Sequence, residues 1–291
     1  MTDNAARYLT LLKKSLTDDL YLENEARILY FVSCVIEQRS IDVQTFVDIH
    51  KHPFFKSVSD ARAVGGWHMF ITQAPGDEPR QRHDLRFASE TAHTMMGRAR
   101  LQNLHDCLDV VVREAIPGDL IETGVWKGGG TIFMRGYLAA HDIRDRIVWV
   151  ADSFDGIPPA SLPEDAGYVM SKEVQPFCAV PLERVRELFE RYELLDDQVR
   201  FLPGWFRDTL PGAPIQQLAL LRLDGDLYES TMDALDALYH KLAPGGFVIV
   251  DDYGSLPPCR QAVDGFRARH AIDAALATID GSAVFWRKPR G

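Results

Sequence analysis

The sequence lacks the features that would tie the protein to a membrane or to a nucleic acid. No apolar run reaches about 18 residues, so a membrane-spanning helix is not expected. The N-terminus has no apolar signal core, which predicts a cytoplasmic protein. Lysine and arginine number 32 against 42 acidic residues, and the net charge of −10 argues against nucleic acid or an anionic membrane surface as a partner.

Cysteine is scarce, and the usual dinucleotide-binding glycine pattern is missing. The four cysteines are scattered and form no C-x-x-C pair, which favours reduced thiols over a disulfide framework or a zinc site. The glycine-rich segment from Glu122 to Gly130 does not have the spacing G-x-G-x-x-G, so NAD is disfavoured as a ligand. The ligand must therefore be sought in other motifs.

The composition and the hydrophobic pattern indicate an α/β protein. With 291 residues, of which 46% are hydrophobic, the chain can form one large α/β domain with an appended segment, or two small domains. From about residue 90, apolar strand-like runs alternate with helical patterns, which predicts a doubly wound, mainly parallel sheet. Asp280-Gly281 is a hairpin signal that adds an antiparallel strand. The predicted strands are 119–124, 146–153, 199–203, a run ending at 224, a run ending at 251 and the final pair; the predicted helices are about 95–114, 131–140, 182–195, 230–242 and 260–270. A Pro-Gly-Gly turn at 244–246 is predicted to connect the helix at 230–242 to the strand that ends at 251.

The first part of the chain has a different character. Helical patterns at about 8–16, 23–36 and 43–49 are followed by a segment rich in proline, glycine and charge, which predicts an exposed linker over 73–86. We therefore expect a helical N-terminal extension over residues 1–86 and an α/β domain over 87–291.

Two of the predicted strands end in paired acids. One apolar run ends in Asp224 and Asp226, and another ends in Asp251 and Asp252. Ligands of open α/β sheets bind outside the carboxyl ends of the strands, so four carboxylates are expected in one crevice. So many like charges are unfavourable together unless a cation neutralises them, and oxygen ligands suit Mg²⁺, Mn²⁺ or Ca²⁺. For any single acid, a helix cap or a solvated turn is the alternative.

A second pair of motifs predicts a nucleoside-containing cofactor. In the segment Glu122 to Gly130, glycines at a strand-to-helix turn let a ligand approach the backbone, although a plain tight connection explains them equally well. The next strand ends in Asp152, which is placed to accept both hydroxyls of a ribose unless it is a cap or turn residue. Together the two motifs favour an adenosyl cofactor. Trp205 is a candidate to stack on the adenine, with a core or surface role as the alternative.

These residues resemble the macrocin O-methyltransferase family of S-adenosylmethionine-dependent sugar methyltransferases. The resemblance covers about residues 90–288 and implies a seven-stranded sheet of the class I methyltransferase, Rossmann-like type. It also implies a homodimer or larger homo-oligomer. The blocks that carry it are 94–103, 118–130, 149–159, 223–231 and 251–253.

The resemblance also implies roles for individual residues. It implies Mg²⁺ held by Asp224, Asp251 and Asp252, Asp226 as the general base, and methyl transfer to a sugar hydroxyl of a glycosylated secondary metabolite. The positions implied to bind S-adenosylmethionine are Thr94, Met95, Glu122, Thr123, Gly124, Val125, Trp126, Asp152, Ser153, Asp155, Gly156, Trp205 and Asp224.

The chain departs from the family pattern before Thr94, and three other functions compete. Extra sequence from about Leu22 to Gln73 leaves the acceptor open. A catechol-type phenolic O-methyltransferase would use the same metal and cofactor. A metal-dependent hydrolase would use the acids but would need neither the Glu122 turn nor Asp152. A non-catalytic interaction protein would be expected to lack one of the carboxylates.

Overall fold

A computed structural model describes residues 3–290 except 54, 57–58, 61–68, 71–85 and 88–91. The predicted linker over 73–86 therefore lies outside the described residues, apart from Arg86. Two short strands, β1 (Met69–Phe70) and β2 (Arg86–Phe87), pair antiparallel.

The main sheet has seven strands in the order β5-β4-β3-β6-β7-β9-β8. The pairs from β5 to β7 are parallel, and β9 pairs antiparallel with both β7 and β8. The chain runs from β3 outward to β5 and then returns to β6 on the other side of β3, which makes the gap between β3 and β6 the switch point of the sheet. The predicted doubly wound sheet is confirmed. Its strands are β3 (Asp119–Thr123), β4 (Val148–Asp152), β5 (Val199–Pro203), β6 (Leu218–Leu223), β7 (Leu242–Val250), β8 (Ala277–Thr278) and β9 (Val284–Arg287).

Helices cover both faces of this sheet because successive strand residues point to opposite sides. Leu120 and Val150 belong to one hydrophobic cluster, whereas their neighbours Ile121 and Ala151 belong to another. The first cluster is closed by α1, α4, α5 and α6, and the second by α8 and α9. The helices are α1 (Asp3–Leu16), α2 (Leu22–Ile36), α3 (Val43–Val47), α4 (Arg98–Arg113), α5 (Gly129–Ala140), α6 (Leu182–Arg191), α7 (Phe206–Thr209), α8 (Tyr228–Leu238) and α9 (Pro257–Arg269).

One predicted turn is wrong. Pro244, Gly245 and Gly246 were expected to connect a helix to a strand, but they lie inside β7. The register between β6 and β7 shifts here, and the Gly245 N–H donates to Lys288 O at 2.9 Å. A glycine with φ +85 lets the strand bulge without leaving the sheet. The local turn signal was therefore overridden by pairing with the neighbouring strand.

The predicted terminal hairpin is present. Its loop spans residues 279–283 and is longer than the two-residue turn that Asp280-Gly281 alone suggests. The Asp280 carboxylate accepts the N–H groups of Ser282 and Ala283, both at 2.8 Å. This acid therefore shapes the loop as well as marking it.

The N-terminal helices pack in two ways. Leu9, Leu12 and Leu16 of α1 are buried in the same cluster as α4 and α5. In contrast, α2 forms a small cluster of its own that includes Tyr30 and Ile49. The division of the chain at residue 86 stays a prediction, and α1 shares the core of the part that follows it.

Candidate functional site

A pocket opens at the carboxyl ends of β3 to β7, where the sequence predicted a ligand. Its wall contains the paired acids and most of the predicted cofactor positions. Those present are Thr94, Met95, Glu122, Gly124, Val125, Trp126, Asp152, Ser153, Gly156, Trp205, Asp224, Asp226, Asp251 and Asp252.

Two predicted cofactor residues do not belong to this wall. Thr123 is fully buried, and its hydroxyl lies 3.4 Å from Arg222 O, to which it donates. Asp155 is exposed and forms an ion pair with Lys172 at 2.7 Å. Alternation along β3 turns Thr123 away from its neighbour Glu122, and the loop after β4 turns Asp155 outward. The structure thus gives both residues contacts outside the pocket wall.

The glycine-rich turn is explained in part by backbone packing. Gly124 has φ +84, and a Cβ at this position would lie 1.8 Å from Asp224 O on the adjacent strand. The Asp224 N–H also donates to Thr123 O at 2.8 Å. Only glycine allows the ends of β3 and β6 to approach this closely, which brings the glycine-rich turn and the first acid pair together.

Asp152 joins the ends of two strands. One of its carboxylate oxygens accepts the Val125 N–H and the other accepts the Phe154 N–H, both at 2.7 Å. Burial raises the pKa of Asp152, and these backbone hydrogen bonds act in the opposite direction. The Ser153 hydroxyl also donates to one of these oxygens, at 3.4 Å, so the loop after β4 holds the carboxylate as well.

The sequence prediction missed a buried cation within the acid cluster. The Arg222 side chain is 1% exposed and donates to Glu122 at 2.6 Å, to Asp224 at 2.8 Å and to Asp251. It therefore links β3, β6 and β7 through a single guanidinium. The available signal was an arginine inside an otherwise apolar strand, because a buried charge requires partners.

A second arginine reaches the cluster from α4. Arg100 pairs with Asp251 and, at 2.7 Å, with Asp280 of the terminal hairpin loop. Part of the charge compensation that the sequence assigned to a metal is therefore supplied by two side chains of the protein.

Burial raises the pKa values of several acids in the pocket. Burial, reinforced by Asp224 and Asp251, raises the pKa of Asp226 well above its usual range. Burial together with Asp226 likewise raises the pKa of Asp252. Burial raises the pKa of Glu122 to about 8, although Arg222 opposes the shift. A cationic ligand would stabilise the ionised form of these carboxylates, so the described part of the pocket favours a cation.

The residues fit a divalent cation. Asp224, Asp251 and Asp252 each offer one carboxylate oxygen, and these oxygens all lie within 4.8 Å of one another. Oδ2 of Asp252 is buried and has no hydrogen-bond partner among the described residues. Such an atom is costly to bury unless something binds it.

The comparison with known protein families identifies the chain. Residues 5–288 match the family described as macrocin-O-methyltransferase (TylF). The chain belongs to this family. The predicted family, which rested on the motifs between Thr94 and Tyr253, is confirmed.

Relatives of known activity support the same assignment. The mycinamicin III 3''-O-methyltransferase of Micromonospora griseorubida is 45% identical over 257 residues, or 86% of this chain and 98% of the relative. The demethyldecarbamoylnovobiocin O-methyltransferase of Streptomyces niveus is 55% identical over 204 residues, or 68% of this chain and 77% of the relative. A tetracenomycin-C rhamnosyl 4'-O-methyltransferase of Streptomyces olivaceus is 57% identical over 198 residues, or 67% of this chain and 76% of the relative.

A solved structure confirms the fold of the family. The O-methyltransferase NovP superposes with a TM-score of 0.76 and 41% identity, over 98% of this chain and 100% of that one. The sheet is therefore of the Rossmann-like methyltransferase type, and the chain is an O-methyltransferase. This fold supports S-adenosylmethionine as the methyl donor.

Other pocket residues of this macrocin-family chain were not predicted from the sequence. Arg207, Glu229 and Asp233 line the wall beside Trp205. Burial and the neighbouring Glu229 raise the pKa of Asp233 to about 6. Glu229 falls within the block 223–231, but no role was predicted for it, and Asp233 resembles an ordinary polar position of an amphipathic helix.

The described part of the chain contains no helix that combines the length and the apolar character needed to span a membrane.

Proposed function

We propose that this enzyme transfers the methyl group of S-adenosylmethionine to a sugar hydroxyl of a glycosylated secondary metabolite. One observation carries the proposal: Asp226 lines the same pocket as the Gly124–Trp126 turn and the acids Asp224, Asp251 and Asp252. A donor turn, a base and oxygen ligands for a cation are the groups that metal-assisted methylation of a hydroxyl requires.

The donor side of the pocket consists of the turn after β3 and the end of β4. We propose that the backbone around Gly124 and Val125 contacts the methionine portion, that Asp152 accepts the ribose hydroxyls and that Trp205 stacks on the adenine. The excess of carboxylates favours the positively charged sulfonium. Thr94 and Met95 close the pocket from the segment before α4.

The metal ligands of the proposal are Asp224, Asp251 and Asp252. A bound Mg²⁺ would act there as a Lewis acid that lowers the pKa of a sugar hydroxyl. Arg222 and Arg100 hold Asp251 in place through ion pairs. An aliphatic hydroxyl is a weak acid. We therefore expect that the positive charges of Arg222 and Arg100 do not activate it by themselves and that a metal ion is needed.

Asp226 is the proposed general base. It accepts the proton of the attacking hydroxyl as the hydroxyl oxygen forms a bond to the methyl carbon and the bond from that carbon to the sulfonium sulfur breaks. Burial beside Asp224 raises the pKa of Asp226, which makes its carboxylate a stronger base than an exposed one. General-base catalysis contributes about 10²- to 10⁴-fold in rate.

The relatives support a sugar acceptor. The Streptomyces olivaceus enzyme is named for a rhamnosyl substrate, and the Micromonospora griseorubida enzyme for mycinamicin III. Arg207, Glu229 and Asp233 in the pocket wall supply hydrogen-bonding groups that suit a polyhydroxylated ring.

We also propose that the enzyme is a cytoplasmic homodimer or larger homo-oligomer, in which residues 87–291 carry the catalytic domain and the N-terminal extension contributes to the acceptor side. The free cysteines support a cytoplasmic location. Apolar side chains exposed on α2 and α3, such as Phe31 and Val43, support an interface with a second copy of the chain. Light scattering after gel filtration measures the oligomeric state.

Binding and turnover test the proposal together. We expect S-adenosylhomocysteine to bind in calorimetric titration, with an effect of Mg²⁺ that Asp251→Ala abolishes. The wild type should methylate a member of a panel that contains mycinamicin III, demethyldecarbamoylnovobiocin and rhamnosyl-tetracenomycin acceptors. If only simple diphenols are methylated, the acceptor is a phenol and not a sugar. If S-adenosylhomocysteine does not bind, methyl transfer from S-adenosylmethionine is excluded.

Asp226→Asn tests the base within the same assay. The variant should keep its fold and its affinity for S-adenosylhomocysteine but lose about 10²-fold or more in kcat, because the amide cannot accept the proton. Asp236→Asn is the matched control, since Asp236 is exposed on α8 and pairs with Arg269. Turnover of the Asp226 variant close to that of the control would remove Asp226 as the base.

A further inference from the structure

The long loop between β4 and α6, residues 153–181, forms one wall of the pocket and is attached to it at several points. Ser153, Gly156, Pro158 and Cys178 from this loop line the pocket. Near its end, the Trp126 indole N–H donates to Phe177 O at 2.8 Å, which ties the loop to the cofactor turn. Its middle is attached elsewhere.

That middle attachment is made by Asp165. The residue is 1% exposed and lies in a short 3₁₀ turn, Pro163–Asp165. One carboxylate oxygen accepts the Tyr228 N–H at 2.7 Å, and the other accepts the Glu229 N–H at 3.0 Å. These two amides belong to the first two residues of α8.

The sequence at the start of α8 cannot cap the helix by itself. The N-cap position is Leu227, whose apolar side chain makes no capping hydrogen bond. The first N–H groups of a helix have no partner within the helix, and they are costly to leave unsatisfied when buried. Asp165 therefore supplies from the loop the cap that most helices obtain from their own N-cap side chain.

This cap adjoins the proposed base. Asp226 lies two residues before Tyr228 and has φ +59, a left-handed conformation that is uncommon for non-glycine residues, although aspartate adopts it more readily than most. On one side, the Asp224 N–H is held by Thr123 O at 2.8 Å. On the other side, the Asp165 carboxylate holds the N–H groups that begin α8. The backbone of Asp226 is thus fixed between two anchors.

We propose that Asp165 is a positioning residue of the reaction: by capping α8 from the 153–181 loop, it fixes the left-handed backbone of Asp226 and so aims the base at the acceptor hydroxyl. The proposal rests on the proposed role of Asp226. It adds a residue that touches no reactant and a physical link between the pocket loop and the base.

A purely structural cap would affect stability without affecting the chemical step, so the test needs a matched control. Asp119 provides one, because its carboxylate also accepts two N–H groups, from Ile147 at 2.9 Å and from the Trp149 indole at 2.8 Å. It is the first residue of β3, whereas the pocket lies at the carboxyl end of that strand. Asp165→Ala and Asp119→Ala thus remove the same kind of contacts from two different places.

The first readout is steady-state kinetics with the acceptor identified in the glycoside panel. Asp165→Ala should lower kcat about 10- to 100-fold, because a small misplacement of a catalytic group has effects of this size. Its KM for S-adenosylmethionine should stay within about threefold of wild type, and Asp119→Ala should keep its kcat. Asp165→Asn keeps one of the two accepting oxygens, and its amide nitrogen cannot accept the other N–H, so its kcat should lie between those of wild type and Asp165→Ala. A kcat of Asp165→Ala within about twofold of the control overturns the proposal.

The second readout needs no acceptor and remains decisive if Asp165→Ala does not fold. Hydrogen–deuterium exchange of the amides in 224–230 should be faster in Asp165→Asn than in wild type, and faster still in Asp165→Ala, but unchanged in Asp119→Ala. Wild-type exchange rates in Asp165→Asn, and in Asp165→Ala where that variant folds, overturn the proposal. If wild type methylates no glycoside, the proposed function fails, and the exchange measurement alone then decides whether Asp165 fixes this segment.

Discussion

Arg222 shows how one side chain can determine the electrostatics of a pocket. Its guanidinium is 1% exposed and pairs with Glu122, Asp224 and Asp251, so one positive charge forms ion pairs with carboxylates from three strand ends. Desolvation of each charge is expensive, and the arrangement is stable only because every partner is present. The charge balance of these acids therefore depends on Arg222, which the pattern of acidic residues in the sequence does not indicate.

Removal of this cation should be strongly destabilising. In Arg222→Met, three acids lose their common partner, and we expect a loss of about 3–5 kcal/mol in the free energy of unfolding. Arg269→Met is the control, because Arg269 pairs with Asp236 at 3.1 Å in an exposed ion pair, for which about 0–1 kcal/mol is expected. Urea denaturation of both variants measures the difference. Equal losses in the two variants would contradict the central role of Arg222.

At the scale of secondary-structure elements, the turn after β3 governs the site. Gly124 lets the ends of β3 and β6 meet, and Gly130 lets α5 begin against Glu122, where a Cβ would lie 2.4 Å from a carboxylate oxygen. The glycine pattern thus serves strand and helix packing as well as ligand access. The sequence alone could not separate these two explanations because both require the same residue.

Gly124→Ala should disrupt this element. The new Cβ would lie 1.8 Å from Asp224 O, and the φ of +84 would be strained for alanine. We expect the variant either not to fold or to lose its affinity for S-adenosylhomocysteine. Gly212→Ala is the control, because its Cβ would meet nothing within 4 Å. Thermal melting and calorimetric titration test both variants, and unchanged binding in Gly124→Ala would refute the packing argument.

At the scale of the whole molecule, α1 is held to the methyltransferase core by a junction around His93. The His93 N–H donates to Leu16 O at 2.9 Å, and its ring nitrogen lies 2.9 Å from the Tyr192 hydroxyl. Burial, together with Lys127, Arg184 and Arg191, lowers the pKa of His93 to about 4. The junction therefore contains a neutral histidine at ordinary pH.

This junction should make stability depend on pH. Between pH 6.5 and about 4, His93 takes up a proton in the unfolded chain but not in the folded one, so the free energy of unfolding falls as the pH is lowered through this range. Above pH 6.5 the contribution is constant. His93→Gln should show a shallower slope than wild type in denaturation measured at several pH values. Parallel slopes would mean that His93 titrates normally in the folded protein.

The sequence by itself determined the α/β alternation, the strands that end in acids, the glycine turn and the family. These are local properties: strand periodicity, the residues just after each strand and the spacing within one turn can be read along the chain. The same locality explains one error. Pro244 to Gly246 carry a turn signal, but pairing with β6 and contact with Lys288 keep them inside β7 as a bulge.

Only the tertiary structure decided which buried groups are partners. Arg222 and Glu122 are 100 residues apart in sequence, and Asp165 and Tyr228 are 63 residues apart. A hydrophobic pattern indicates that a charged residue will be buried, but it does not indicate which opposite charge or orphan amide will meet it. That choice depends on the strand order and on the path of the 153–181 loop, because these bring distant residues within hydrogen-bond distance.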